Sequence, residues 1–230
     1  MTKTRSIHRR HPLGQRAKQI EDAKRQVRRM LLNALVQAGL GSGTDQPALR
    51  VARATVATAP AQMAAAQADD AAAREQIAAS YERCLASYRA MEPMRGGEPD
   101  VDDVGRAVAF FVGVNMHVLQ GVDADADMLG PLEQQLRGIA RTRSNWDATS
   151  IEERQRFFES IAILSVVVSG SWAGAAAHGP AGVANVRRAA RQYLEQMLGM
   201  NPDVLTLGPA GLAARDGAAA PTRATAEQTA

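Results

Sequence analysis

Three groupings in this chain have residue types that could do chemistry. Asp123-Ala124-Asp125-Ala126-Asp127 opens like a calcium loop, where alternate carboxylates supply oxygen ligands. The pattern then fails, because Met128 stands where the loop needs a glycine and Gln134 where it needs a bidentate glutamate. The aspartates therefore read as solvated, with Asp127 capping the helix that follows. Glu98, Asp100, Asp102 and Asp103 form a second acidic cluster, which an N-terminal helical turn explains through capping and the helix dipole. His117 and His178 have no second histidine or carboxylate at metal-ligand spacing, and His178 suits the negative end of a helix.

Ser169-Gly170-Ser171 does not match a nucleophile elbow, which needs a glycine two residues to either side of the serine on a strand-to-helix turn. No phosphate-cradling or dinucleotide-binding glycine pattern is present. The single cysteine, Cys84, excludes an intrachain disulfide framework and a multi-cysteine zinc site. It lies in an apolar stripe, where a reactive thiolate is disfavoured. Trp172 reads as core, and Trp146 as a contact residue or an amphipathic cover. No catalytic, cofactor-binding or metal-ligating residue is assigned and no cofactor is expected. One enzymatic reading survives: a site assembled from Asp103, Asn115 and His117, which requires those groups to converge in a pocket.

The elements that would position these residues are helical. Residues 150–199 read as two long helices joined by a tight turn, an antiparallel hairpin against which the other helices pack. Ser150 and Glu153 have capping-box spacing. Phe157, Phe158, Ile161, Leu164, Val168 and Trp172 recur at helical intervals, and Ile163, Val166 and Val167 widen the stripe until the helix reads as buried. His178-Gly179-Pro180 stops it. Val183, Val186, Ala190, Tyr193, Leu194 and Met197 form one face of the second helix, with Arg187, Arg188 and Arg191 turned to water. Gly199 ends it, and Asn201-Pro202-Asp203 makes a turn. The small residues from Gly170 to Ala177 would let another backbone approach closely, so this face is a candidate surface for a protein partner or self-association.

Upstream, residues 48–68 read as a weakly patterned helix interrupted at Pro60. A helix over 70–91 carries Ile77, Tyr81, Cys84, Leu85 and Tyr88. After a break over 93–99, Asp100 caps a helix that runs to Gly121, with Asp103 in its first turn. A shorter helix spans about Pro131 to Arg143. No alternating strand pattern and no hairpin dipeptide flanked by strands is evident. The fold class is all-α: about five to six helices in a compact bundle around the central hairpin. The chain divides into a basic arm, amphipathic helix and linker over 1–47, a helical domain over 48–212, and a disordered tail over 213–230.

The chain has 230 residues and a formal net charge of +3, which hides an asymmetry. Residues 1–30 hold ten Lys/Arg against two acids, about +8, and the remaining 200 hold seventeen against twenty-two, about −5. Such an arm can touch nucleic acid, an anionic membrane or the acidic body. It has no interleaved aromatics and no docking module, so weak anionic-surface contact is what its residues support. No apolar run is expected to span a bilayer. The run from Met30 to Leu40 follows basic residues as a signal-peptide core does, but the preceding segment is long and the nearest small-residue cleavage pattern is Ala59-Pro60-Ala61. The chain reads as cytoplasmic as written, and as exported or periplasmic if that run acts as a signal.

Asp100-Val101-Asp102-Asp103-Val104-Gly105-Arg106-Ala107-Val108-Ala109-Phe110-Phe111 with Asn115 resembles a block found in a group of uncharacterised bacterial helical proteins. So do Glu153-Arg154-Gln155 through Ile161-Ala162-Ile163-Leu164, the Tyr81/Tyr88 pair, and the ending Leu198-Gly199-Met200-Asn201-Pro202-Asp203 with Leu205, Leu207, Gly211 and Leu212. The resemblance covers roughly residues 75–212. It implies a compact helical fold and membership of a domain of unknown function, and it carries over no activity. Members often have an export signal, from which the long basic N-terminus here departs.

The leading functional expectation is a non-enzymatic helical binding or scaffold protein, with the cell envelope as its candidate location. The alternative is a regulatory or effector protein whose arm binds nucleic acid or anionic lipid.

Overall fold

The computed structural model describes residues 48–215, apart from 93, 95–97, 99, 144, 145, 147 and 148. The basic arm with its amphipathic helix, and nearly all of the expected tail, lie outside the described residues.

The first element, β1 (Arg50–Ala52), pairs antiparallel with β2 (Val101–Asp103), placing Val51 opposite Asp102. Helix α1 (Ala59–Ala65) follows. Pro60 sits at its start rather than interrupting it, because a first-turn residue needs no amide donor. Helix α2 (Ala71–Met91) is capped by Asp70, whose carboxylate accepts from the Ala73 amide at 2.7 Å. It buries Leu85 and Tyr88.

Helix α3 (Val104–Gln120) is the most deeply buried element, burying residues around most of its circumference. It packs against α4 (Ala126–Arg143), against both α5 (Ile151–Ala175) and α6 (Gly179–Leu198), and against β3 (Leu205–Gly208). Its cap is Asp103, which accepts from the Arg106 amide at 3.2 Å. The expected cap, Asp100, lies outside the helix because strand pairing holds residues 101–103 extended. Gly121 ends α3 in the left-handed conformation, φ 69°, where a Cβ would be strained.

Helix α4 begins five residues before the expected Pro131, which lies within it. Asp125 rather than Asp127 caps it, accepting from the Met128 amide at 3.1 Å. The α5–α6 hairpin forms as expected. Ser150 and Glu153 make both bonds of a capping box. Helix α5 gives way to a 3-10 turn, Ala176–His178, before Gly179 (φ 69°) opens α6. Gly199 ends α6 with φ 70°.

The mostly helical class stands, with two short two-stranded ribbons added to it. The second ribbon pairs β3 with β4 (Gly211–Ala214) around Pro209-Ala210. It continues through Ala213 and Ala214, the first residues of the expected tail. Leu205, Leu207 and Leu212 drop into the core, and Gln135 fixes the ribbon by bonding both the amide and the carbonyl of Leu212, each at 2.9 Å.

Few aromatics serve this core, and they meet one another. Tyr88 lies between Phe110 and Phe158, with centroids 5.8 and 5.7 Å away, and Phe111 meets Tyr193 at 5.9 Å. Edge-on and tilted pairs of this kind add to simple area burial.

Candidate functional site

The acidic block at β2 is the centre of a buried charge network. The Asp102 side chain is 1% exposed. Its Oδ1 accepts from Arg53 Nε (3.3 Å) and Arg89 Nε (3.2 Å), and its Oδ2 from Arg89 Nη2 (2.7 Å) and Gln155 Nε2 (3.0 Å). Asp103 points to the other side. It uses Oδ1 for the α3 cap and holds Arg137 Nη2 on Oδ2 at 2.5 Å. Arg106 reaches Glu92 at 3.2 Å and Glu133 at 3.6 Å, and Arg137 also pairs with Glu133. Burial pulls the Arg106 guanidinium down, but Glu133, Glu92 and Asp103 outweigh it and hold it above its ordinary value.

Gln155 and Glu159 extend the network along α5. Gln155 Nε2 bridges Asp102 and Glu159 Oε1, the latter at 3.1 Å. Glu159 is fully buried, and its Oε2 accepts from the Thr58 and Ala59 amides, both at 2.9 Å. A side chain of α5 therefore caps α1 in place of a local residue.

This arrangement favours holding over transferring protons. Guanidinium groups stay protonated at neutral pH and accept nothing, and the oxygens of Asp102 face donors on every side. The acidic cluster of the sequence thus splits into Asp102 and Asp103 inside the network, and Glu98 and Asp100 on the exposed rim with Arg50 and Arg53. Sequence reasoning gave Glu98, Asp100 and Asp102 no role beyond a helix N-terminus, offered Asp103 only that role and a place in the assembled site, and missed Arg53, Arg89, Arg137, Gln155 and Glu159. An Asp-Asp pair before an apolar helix carries no signal for partners so distant in the chain.

The residues of the assembled-site reading do not converge. Asp103 caps the start of α3 and His117 stands in its last turn, fourteen positions on, about 20 Å along the axis. Asn115 donates back to the Phe111 carbonyl at 2.7 Å. Among the described residues, no group of His, Cys, Asp and Glu could hold a metal ion. Burial raises the Cys84 thiol pKa, with Arg83 opposing it.

The second region is the far end of the hairpin. Ser169, Gly170, Ser171, Ala173, Gly174, Ala176 and Ala177 are exposed, and a Cβ on Gly170 or Gly174 would meet nothing within 4 Å. No Asp, Glu, Lys or Arg occurs from residue 160 to 186. This uncharged run changes one expectation: the hairpin contains a stretch long and apolar enough, by length and composition, to cross a membrane. Only a third of that stretch is buried within the chain. Core helices pass the same test, and its first half does face the core.

Trp172 is half-buried at the base of this end rather than in the main core. It packs with Val118, Val168, Val186 and Ala190. Arg187 lies over its ring at 5.6 Å, and His117 meets it edge-on at 6.3 Å. His117 Nδ1 is 3.1 Å from the Val122 carbonyl and 3.4 Å from Asp123. At the other end of the hairpin, the Arg154 guanidinium covers Trp146 at 4.7 Å.

No curated protein and no solved structure matches the chain. A family match spans residues 2–215, well beyond the 75–212 of the resemblance, and takes in the basic arm as well as the network and both arms of the hairpin. The chain therefore belongs to the family described as "Family of unknown function (DUF6683)".

Proposed function

We propose that this protein is a non-enzymatic helical binding protein, in which the charge network stiffens a platform and the free end of the α5–α6 hairpin engages a macromolecular partner. One observation carries the reading: that end stands clear of the core with small, uncharged, exposed residues on both helices. Small side chains let a partner backbone come close, and the absence of charge removes the desolvation cost that would oppose burial.

A photo-crosslinking residue at Ala173 or Ala177, introduced into the full chain in its native host, tests this. Adducts should form from both positions and not from Ser80, an exposed residue on α2. Equal yields from all three positions, or none, would remove the reading.

The alternative, a regulatory role for the basic arm, rests on the charge of about +8 over residues 1–30. It expects salt-sensitive binding to nucleic acid or anionic vesicles that disappears when residues 1–29 are deleted.

A further inference from the structure

We infer that the basic arm docks on its own body: residues 15–37, which lie outside the described residues, cover the end of the domain that carries the β1–β2 ribbon. This contact is separate from the hairpin end. It keeps the arm from other anionic surfaces until one of them competes for it.

Among the described residues, the large apolar side chains left exposed are Val56 (75%), Met94 (82%), Ile151 (65%) and Val204 (37%). Single exposed apolar residues are ordinary, but the first three share one place. Val56 lies three residues after Arg53, Met94 five after Arg89, and Ile151 four before Gln155. Arg53, Arg89 and Gln155 all converge on the Asp102 carboxylate. Ile151 and Gln155 are one helical turn apart on the same face of α5, so Ile151 stands one turn beyond the contact with the ribbon. Glu98, Asp100 and Glu152 are exposed in the same three segments, and Arg50 and Arg53 offset part of their charge.

The tether selects the occupant. The arm joins the body at Leu49, which is buried and whose carbonyl accepts from the Val104 amide at 3.0 Å, next to β2. Thirteen residues, 36–48, separate Leu49 from Leu35, the last member of the stripe Ile20, Ala23, Val27, Leu31 and Leu35. A flexible linker of that length, here with Gly39, Gly41 and Gly43, has an r.m.s. span of about 20 Å. The stripe is therefore held near the ribbon end at an effective concentration on the order of millimolar, which a second copy in dilute solution does not match. Charge agrees: residues 15–37 carry Arg16, Lys18, Lys24, Arg25, Arg28 and Arg29 against Glu21 and Asp22, opposite in sign to the exposed carboxylates of the ribbon end. The family match also runs through arm and body alike, over residues 2–215.

The test uses the full chain with a photo-crosslinking residue in place of Ile151. Mass spectrometry of the digest should place the adducts in residues 15–37, with a yield that is constant from about 1 to 100 µM protein because the contact is within one chain. Val27→Asp/Leu31→Asp leaves the tether unchanged but puts charge on the buried stripe, and should lower the yield about tenfold. Arg28→Glu/Arg29→Glu should lower it about threefold at low salt, and adding Glu98→Lys/Glu152→Lys to that variant should restore it. The arm substitutions leave the body's own residues untouched, so its circular dichroism and Tm serve as controls. No adduct in the arm, a yield that rises with protein concentration, a yield indifferent to Val27→Asp/Leu31→Asp, or a charge exchange that restores nothing would each overturn the inference. A rising yield would assign the patch to a second copy, and an indifferent one would mean tethered proximity without a docked face. None of these outcomes bears on crosslinking from Ala173, so the hairpin reading stands or falls separately.

Discussion

The Arg89 guanidinium forks onto the Asp102 carboxylate, with Nε 3.2 Å from Oδ1 and Nη2 2.7 Å from Oδ2. This two-point contact joins α2 to the β1–β2 ribbon, and the same carboxylate reaches α5 through Gln155. Asp102 is thus a shared fastening point for three parts of the chain. Asp102→Asn leaves Arg53 and Arg89 without their buried counter-charge, which should cost about 3–5 kcal/mol. Urea denaturation at neutral pH measures it. A loss below about 1 kcal/mol would mean that water already reaches this carboxylate.

Glu159 acts at longer range. It caps α1 from α5 through the Thr58 and Ala59 amides. Glu159→Ala orphans two amide donors, one of them buried, at about 1–3 kcal/mol each. Hydrogen exchange should accelerate across residues 58–65 before the rest of the chain. Uniform acceleration instead would show that α1 has no separate opening.

Gly105 is a point of close approach between α3 and α4. A Cβ there would lie 2.6 Å from Arg137 Cγ and 2.9 Å from its Nε, with Asp103 Oδ1 at 3.2 Å. Gly105→Ala must displace Arg137 from Asp103, and overpacking of this kind costs about 1–3 kcal/mol. Helix propensity alone would make the substitution stabilising by about 1 kcal/mol. The sign of the change in Tm therefore reports whether the Arg137–Asp103 pair is held as tightly as the structure shows.

What could be read in the sequence was local. The Ser150–Glu153 capping box and the glycine stops at Gly121, Gly179 and Gly199 occupy a few consecutive residues, and each forms, the three glycines all with positive φ. The ribbons went unread because β1 and β2 have three residues each and meet across some fifty positions. A strand that short has no period to detect. Pro60 was ambiguous for a different reason, since proline both opens and breaks helices. The charge network was hidden by the same distance: Asp102 draws on residues 49, 13 and 53 positions away. The exposed hairpin end, by contrast, could be read as a small-residue face, because composition alone defines it.

The link between α6 and the turn before β3 should respond to acid. Asp203 bonds Arg191 Nη1 at 2.6 Å. That bond holds the carboxyl below its ordinary value of 3.8, and the same contact raises Arg191. A carboxyl that binds protons more weakly when folded contributes stability above its unfolded pKa. The contribution disappears as pH falls through the depressed folded value. Asp203→Asn should therefore be less stable than the wild type at pH 5 to 7, with the gap closing below about pH 3.8. Both partners are well exposed, so the gap should be small and shrink further in salt. A gap that persists at pH 2 would assign the role of Asp203 to something other than its charge.

Gly170 and Gly174 separate folding from association. Both lie inside α5 with open space at the Cβ position. Glycine in a helix interior is less favourable than alanine by about 0.5–1 kcal/mol. Gly170→Ala/Gly174→Ala should therefore stabilise the isolated chain by about 1–2 kcal/mol in denaturation under dilute conditions. The same methyl groups would stand between the hairpin and a partner backbone seated on it, so partner crosslinking from Ala173 should weaken as stability rises. A variant that is more stable and crosslinks its partner as well as the wild type would place the contact elsewhere on the hairpin. One that is less stable would mean that these glycines already pack against the chain's own residues.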